Sequence, residues 1–202
     1  MLKVFFCDIS KFSEEDFIKL YSSISKNRQK KADRLKNDNA KKLSVAAGAL
    51  CRKVIAEHFN LEPSEVNIKN KRNGKPFADG LDIHFSISHS AQMAICAISD
   101  VPVGVDIEKI RSAPSSVVER CFTEDEKAYL DSKEKDRDKR FFEIWTKKEA
   151  YVKMTGRGIK DFSELNIIKR FGICAKEYNG YMISVARENK NVYEFEITKK
   201  RL

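Results

Sequence analysis

The sequence has no apolar run long enough to cross a bilayer, and its first residues, MLKVFFCDISKF, lack the long apolar core of a secretion signal. Those residues predict a first β-strand instead. Only three histidines and no Cys-x-x-Cys pair are present, which argues against a zinc site. The cysteines are scattered and odd in number: Cys7, Cys51, Cys96, Cys121 and Cys174. They predict reduced, buried thiols rather than a disulfide framework, and therefore a cytoplasmic protein.

Charge is plentiful but uneven. The net charge is +9, and the segment from Lys26 to Lys42 holds eight basic residues against two acidic ones. The basic residues are Lys26, Arg28, Lys30, Lys31, Arg34, Lys36, Lys41 and Lys42. The segment is either a solvated helix face or a binding surface for a polyanion, such as a phosphorylated cofactor, an acidic protein or nucleic acid.

The hydrophobic pattern predicts an α+β protein, and the 202 residues suffice for two lobes of about 100 residues each. We place the lobes at 1–107 and 108–202. Helices are predicted from Ser13, over 39–59, from Ser115, from Thr123 and over about 139–155, where Gly156 and Gly158 end the last one. Later strands are predicted at 66–69, 83–87, 93–97, 103–107, 165–169, 173–176, 181–186 and 193–199.

The stretch VGVDIEKI, from Val103 to Ile110, places two acids on one face of a strand whose other face is apolar. Side chains two apart in a strand point to the same side, so Asp106 and Glu108 stand together. Two carboxylates at about 4 Å repel by roughly 1 kcal/mol in water and roughly 4 kcal/mol at an effective dielectric of 20. The pair is either an exposed strand face or a site for a cation such as Mg²⁺, which prefers oxygen ligands.

A third acid lies in FEIWTKKEAYVKM, which predicts a helix with Phe142, Trp145, Glu149 and Val152 on its buried stripe. A carboxylate in that position is costly unless it is paired. Glu149 either pairs with Lys153 one turn later, or completes a metal site with the two acids of the strand. In the second case Lys148 and Lys153 face phosphate oxygens.

Three smaller motifs add candidates. His89 ends the predicted strand FSISHS and is either a structural histidine or a donor to phosphate. The NGKP stretch, from Asn73 to Pro76, is a turn with an exposed lysine. Glu126 follows Thr123 in the T-x-x-E spacing of a helix capping box.

The order of these motifs is highly specific. From Lys75 to Ile159 the chain resembles the Sfp-type 4′-phosphopantetheinyl transferase superfamily. The motifs that carry the resemblance are, in chain order, GKP, FSISHS, VGVDIE, FTxxE, WTKKEAYVK and GRGI. The resemblance implies two similar lobes related by a pseudo-twofold axis, each a small antiparallel sheet packed with a long helix. It implies transfer of phosphopantetheine from coenzyme A, bound in the cleft between the lobes, to a serine of an apo acyl or peptidyl carrier protein.

The resemblance also implies which residues form the active site. Mg²⁺ is expected on Asp106, Glu108 and Glu149, and the residues implied in catalysis are Glu149, Lys153, Lys148 and Glu126. The base is left open between Glu149, Glu126 and a metal-bound water. The residues implied for coenzyme A are Lys26, Arg28, Lys30, Lys31, Lys42, Gly74, Lys75, Pro76, Ser88, His89, Asp106 and Lys153. The chain departs from the family pattern at Ser86, where asparagine is usual, and at Lys41 and Lys42, where arginine is usual.

The expected partners are an acidic carrier protein and coenzyme A, with neither nucleic acid nor membrane, and a monomer is expected. One alternative is a basic nucleic-acid-binding module, which the net charge would suit. It leaves the three acids unexplained, because carboxylates repel phosphates when no metal is present. The other alternative is a magnesium-dependent phosphohydrolase, which would share the carboxylates but release phosphate or nucleotide without a carrier.

Overall fold

The computed structural model of the chain describes residues 1–133, 135–157, 162–188, 192 and 194–202. These residues form an α+β fold, as predicted. The strands are β1 (Leu2–Asp8), β2 (Ile68–Asn70), β3 (Pro76–Ala78), β4 (His84–Ser90), β5 (Met93–Ser99), β6 (Val103–Lys109), β7 (Ile173–Tyr178), β8 (Tyr181–Arg187) and β9 (Ile197–Lys199). The helices are α1 (Glu14–Ser23), α2 (Lys26–Asp33), α3 (Asp38–Phe59), α4 (Ser115–Cys121), α5 (Glu124–Asp131) and α6 (Arg137–Thr155).

The strands form two main sheets, which we call sheet A and sheet C. Sheet A has the order β4-β5-β1-β9 and sheet C the order β6-β8-β7, while β2 and β3 pair as a small ribbon. Because β6 pairs with β8, the predicted lobe boundary after Ile107 falls inside a strand of sheet C. The last strand, β9, returns to sheet A and pairs with β1 in parallel. The pseudo-twofold relation between lobes remains a prediction.

Local sequence explains where most helices begin and end. Thr123 closes a capping box with Glu126 at the start of α5, as their spacing predicts, and Ser13 caps α1, where a helix start is predicted, in a capping box with Asp16. Helix α6 begins two residues before its predicted start and ends at Gly156, whose positive φ of 73° suits glycine. The predicted contribution of Gly158 to this ending, and the close of the GRGI motif at Ile159, lie outside the described residues.

Two predicted strands differ from the structure. Residues 165–169 form an irregular segment that ends in a turn, and buried Leu165 and Ile167 pack into the core around α6. Of the strand predicted over 193–199, the structure shows Ile197–Lys199, and Tyr193 lies outside the described residues.

Three clusters of apolar side chains fill the spaces between the layers of the fold. One face of sheet A packs against α3, and its other face packs against sheet C, where Val103, Val105 and Ile107 are fully buried. The far face of sheet C packs against α6, with α4 and α5 alongside. The layer order is therefore α3, sheet A, sheet C and α6, and β6, an edge strand of sheet C, lies between sheet A and α6.

Gly104 allows α6 to lie directly on β6. A Cβ atom at this position would stand 1.8 Å from the carbonyl oxygen of Ala150 and 2.5 Å from the backbone nitrogen of Met154. Both atoms belong to the helix backbone and cannot turn aside. Because Gly104 has no side chain, β6 and α6, which carry the three acids, can pack at this short distance.

Candidate active site

The two acids of β6 lie on the face that meets α6, as the alternation predicts. Their apolar neighbours are buried between the sheets, while Asp106 makes a salt bridge to Lys153 of α6. Asp106 is 3% exposed, and its Oδ1 accepts hydrogen bonds from Lys153 Nζ at 2.6 Å and Ser88 Oγ at 2.7 Å. Lys153 therefore binds the strand rather than Glu149, and the intrahelical pair predicted as one alternative is not formed.

Glu149 is half-buried beside these groups. Burial, together with the charges of Asp106 and Glu108 and against the opposing effect of Lys153, raises its pKa to about 7. Burial also raises the pKa of Glu108, with a smaller contribution from Asp106, while a hydrogen bond from Ser90 opposes the rise. The three carboxyl groups lie close enough to act on one another electrostatically.

The pKa of Glu149 predicts a pH-dependent stability. A carboxyl group with a folded pKa near 7 and an ordinary value of 4.5 contributes most stability below pH 4.5 and loses it as the pH rises through 7. Glu149→Gln removes that loss, so we expect this variant to be more stable than wild type at pH 8 by about 1–3 kcal/mol. Denaturant unfolding of the ligand-free protein at pH 5 and pH 8 measures this, with exposed Glu119→Gln as control. Equal pH dependence in wild type and Glu149→Gln would contradict it.

The same carboxyl groups have the chemistry of a magnesium site. Among the described residues, no three His, Cys, Asp or Glu side chains already converge into a metal cluster. Asp106 Oδ2, however, is buried and has no hydrogen-bond partner there. Mg²⁺ commonly takes one or two carboxylates and completes its octahedron with phosphates and water. The oxygen donors of Asp106, Glu108 and Glu149 fit such an ion when a phosphorylated ligand supplies the remainder.

A cavity of about 350 Å³ opens beside Lys153. Its wall is made by α2, α3, β4, the turn at residues 73–76 and the last turns of α6. The cationic side chains that line it are Arg28, Lys31, Arg52, Lys75 and Lys153. Its lining includes no aspartate or glutamate from the described residues. Such a cavity suits a ligand with several negative charges.

Helix α2 divides the predicted basic contacts into two groups. Arg28 and Lys31 line the cavity, whereas Lys26 and Lys30 are exposed outside it. Arg28 crosses α3 at Gly48, where a Cβ atom would stand 3.0 Å from its Cγ, and donates to the carbonyl of Ser44. Lys42, the remaining predicted contact on this side, is also outside the lining and pairs with Glu14 at 3.1 Å.

The NGKP turn joins this wall to α6. The three residues of this turn that were predicted to contact coenzyme A all line the cavity: Gly74, Lys75 and Pro76. Lys75 Nζ donates to the carbonyl of Met154 at 2.5 Å, so it caps the last turn of α6 with a positive charge. Burial lowers the pKa of Lys75 to about 8, and Lys71 adds to that lowering.

His89 and Ser88 occupy opposite faces at the end of β4. Ser88 is nearly buried against Asp106 and Lys153. His89 is exposed and, like Ser88, is not among the residues that line the cavity. Desolvation of the ring, together with the charges of nearby Arg28, Lys153 and Lys31, lowers the pKa of His89 to about 4. The ring is therefore neutral at pH 7 and retains one N–H to donate.

Lys148 and Glu126 are not brought to the cavity. Both are fully buried and lie 2.7 Å apart as an ion pair. Lys148 also donates to the carbonyls of Cys121, Phe162 and Leu165. Glu126 accepts from the backbone of Thr123, as its capping-box spacing predicts, and from Ile167. Their predicted catalytic roles are replaced here by a structural one, because every polar atom of the pair is committed within the protein.

We expect Lys148→Met to destabilise the fold, by about 3–5 kcal/mol, because it leaves Glu126 charged and buried without its partner. The double variant Lys148→Met/Glu126→Gln should recover part of that loss. Thermal and denaturant unfolding measure both variants. A Lys148→Met protein as stable as wild type but inactive would instead restore the catalytic interpretation.

Two features of the cavity region escaped sequence reasoning. Arg52 lines the cavity, anchored by its donation to the carbonyls of Ser23 and Val66. Its signal is the four-residue spacing of Ser44, Gly48 and Arg52, which interrupts the apolar stripe of α3. The second is the pair of serines that flank Ser88 on β4, whose hydroxyls contact β6.

No helix in the described part of the chain is long and apolar enough to span a membrane. Two family models match the chain: "4′-phosphopantetheinyl transferase, N-terminal" at residues 11–100 and "4′-phosphopantetheinyl transferase superfamily" at residues 102–198. The match boundary lies just before β6, where the chain passes from sheet A to sheet C.

Curated relatives agree with these matches. The 4′-phosphopantetheinyl transferase gsp of Aneurinibacillus migulanus is 38% identical over 69% of this chain and 59% of its own length. The transferase Sfp of Bacillus subtilis is 32% identical, and HetI of Nostoc sp. is 31% identical, each over 73% of this chain and 66% of its own length. The chain thus spans about three fifths to two thirds of these relatives.

Proposed function

We propose that this chain, which belongs to the 4′-phosphopantetheinyl transferase superfamily, transfers 4′-phosphopantetheine from coenzyme A to a serine of an apo carrier protein and releases 3′,5′-ADP. The observation that supports it most is the junction of the cationic cavity with the carboxylates of β6 and α6 at Lys153. The relatives' printed names carry the same activity.

The cavity would bind coenzyme A through its phosphates. Arg28, Lys31 and Lys153 line the cavity, and His89 lies outside this lining but near enough to all three for their charges to lower its pKa. A neutral His89 donates one hydrogen bond to a phosphate oxygen, and Lys153 adds a charge-assisted one. The turn from Asn73 to Pro76 contributes part of the cavity wall.

Asp106, Glu108 and Glu149 would hold Mg²⁺ against the diphosphate. When bound, the ion would supply charge neutralisation at the phosphoryl oxygens. The salt bridge to Lys153 occupies only Oδ1 of Asp106, and Oδ2 is the buried oxygen without a partner. The protein therefore presents an anionic group at the end of an otherwise cationic cavity, where a phosphorylated ligand alone would be repelled.

The reaction forms a bond between the carrier serine Oγ and the phosphorus that bears pantetheine. It breaks the bond from that phosphorus to the bridging oxygen, which leaves with 3′,5′-ADP. Glu149, with a pKa of about 7, is our candidate to accept the serine proton. Lys153 stabilises the negative charge on the transferred phosphate or the leaving group. Such a transfer depends on positioning and electrostatics rather than on a covalent intermediate.

The partner is expected to be acidic, to complement the net charge of +9.

Thermal unfolding tests the binding part of the proposal. Coenzyme A with Mg²⁺ should raise the melting temperature, whereas an oligonucleotide of equal phosphate concentration should not. A shift with the oligonucleotide alone would favour the nucleic-acid alternative and contradict the proposal.

Adjacent lysines on α2 test the site of coenzyme A binding. Lys31 lines the cavity and Lys30 does not, although both are exposed enough to be replaced without disturbing the core. We expect Lys31→Ala to raise KM for coenzyme A by about 10-fold, the loss of one charge-assisted contact, and to leave kcat nearly unchanged. Lys30→Ala should leave both constants within about twofold of wild type. Equal effects of the two variants would show that only the general charge of α2 matters.

A further inference from the structure

Strands β4 and β6 meet along a seam that has no backbone ladder. Each is the edge strand of its own sheet in the described part of the chain. Serine hydroxyls bridge them instead: Ser86 Oγ accepts from the backbone N–H of Val105 at 3.0 Å, and Ser90 Oγ accepts from that of Lys109 at 3.1 Å. Both contacts span 19 positions, so the strands run parallel along this seam.

Ser90 makes one contact that Ser86 does not. Its hydroxyl donates to Glu108 Oε2 at 2.8 Å while it accepts from the backbone of β6. A hydroxyl has a single proton to donate, so these two partners fix its orientation. Arg111 approaches the same carboxylate oxygen at 3.5 Å. Both groups hold Oε2, which leaves Oε1 as the oxygen for a ligand.

We propose that Ser90 is a positioning residue, which holds Glu108 beside Asp106 so that both carboxylates bind one Mg²⁺. This inference rests on the proposed function and concerns the same site. Ser88 performs a similar task for Asp106, but it also contacts Lys153 and lies within the binding machinery itself. Within the described residues, the hydroxyl of Ser90 contacts Glu108 and the backbone of β6.

The need for such a group follows from the charges. Asp106 repels Glu108 and contributes to the raised pKa of its carboxyl group. Glu108 is the more exposed of the two, with 25% of its side chain accessible, and Arg111 lies on the solvent side of it. Without the hydroxyl of Ser90, the repulsion and Arg111 together turn Glu108 away from Asp106. Groups that orient metal ligands in this way typically change metal affinity by about 10- to 100-fold.

The test is calorimetric titration of Mg²⁺ into the protein saturated with coenzyme A, with no carrier present so that no transfer occurs. Ser90→Ala should weaken Mg²⁺ binding by about 10-fold or more, and Ser90→Thr, which keeps the hydroxyl, should restore it. Ser86→Ala is the matched control for the seam contact, because its hydroxyl accepts from β6 without touching a carboxylate. Since Ser86 also lines the cavity, the coenzyme A affinity of this variant is measured first and its Mg²⁺ titration is run at saturation. The variant should bind Mg²⁺ as wild type does.

The outcomes separate this inference from the function on which it rests. Wild-type binding by Ser90→Ala, or equal weakening in Ser86→Ala, would overturn the positioning role and leave the proposed function intact. Absence of Mg²⁺ binding in wild type with coenzyme A would overturn both. If Ser90→Ala does not fold, Ser90→Cys retains the volume with a weak donor, and weakened Mg²⁺ binding is expected of it; wild-type affinity would overturn the inference.

Discussion

Gly104→Ala is expected to destabilise the protein by about 3 kcal/mol or more and to abolish its activity. The new methyl group would stand 1.8 Å from the carbonyl oxygen of Ala150, well inside van der Waals contact. Neither β6 nor α6 can yield easily, because one side of β6 is buried between the sheets and α6 is fixed by its own core. Overpacking of this kind usually costs about 1–3 kcal/mol, and a backbone clash places this case at the upper end or beyond.

The loss of activity has a separate cause. Any shift of α6 away from β6 lengthens the contact between Lys153 and Asp106 and moves Glu149 from Glu108. Gly80→Ala is the control for a new methyl group without a clash: nothing lies within 4 Å of the new atom, and its cost is the strain of a positive φ, which Gly104 does not have. Denaturant unfolding and transfer assays on both variants decide the matter. A Gly104→Ala protein no less stable than Gly80→Ala would show that the two elements are not in contact as described.

Asp106→Asn is expected to lower the rate of transfer by at least 10²-fold without destabilising the fold. The substitution keeps the shape but removes the charge that holds Lys153 and would bind Mg²⁺. Loss of one preorganised electrostatic contact in an active site typically costs about 10²- to 10³-fold in rate. The free energy of unfolding should stay within about 1 kcal/mol of wild type or rise, because repulsion with Glu108 and Glu149 disappears.

This combination of a lost rate and a retained stability distinguishes a functional carboxylate from a structural one. Exposed Asp82→Asn provides the control for removal of one negative charge from the chain. Unfolding in urea and transfer at saturating coenzyme A give the two quantities. An Asp106→Asn enzyme with wild-type rate would remove Asp106 from the site, and a strong loss of stability would make it a structural residue.

Some of this site could be predicted because its geometry is local. The alternation in VGVDIEKI is a property of one strand, and the structure confirms its apolar and acidic faces. The helix start at Ser13 and the capping box at Thr123 each depend on four consecutive residues and are also confirmed. The family resemblance allowed more to be predicted, because the order of several motifs identified a superfamily. Both family models that match the chain belong to it.

Other parts depended on distances that no local pattern contains. The sequence allowed Lys153 to pair with Glu149 on its own helix or with an acid of β6. In the structure it binds Asp106 of β6. Lys148 lies five positions before Lys153, yet it turns into the core toward Glu126. The importance of Gly104 likewise depends on a helix far along the chain. Such choices of partner are made by tertiary packing, which brings one charge nearer than another.

The central claim is the transfer of phosphopantetheine to a carrier, and intact mass tests it most directly. The protein is incubated with coenzyme A, Mg²⁺ and apo carrier proteins from fatty-acid, polyketide and peptide synthesis. We predict that at least one carrier gains the mass of a single phosphopantetheine group, that 3′,5′-ADP appears in equal amount, and that a carrier whose acceptor serine is replaced by alanine gains nothing. No mass gain on any carrier, or breakdown of coenzyme A without a gain, would contradict the account.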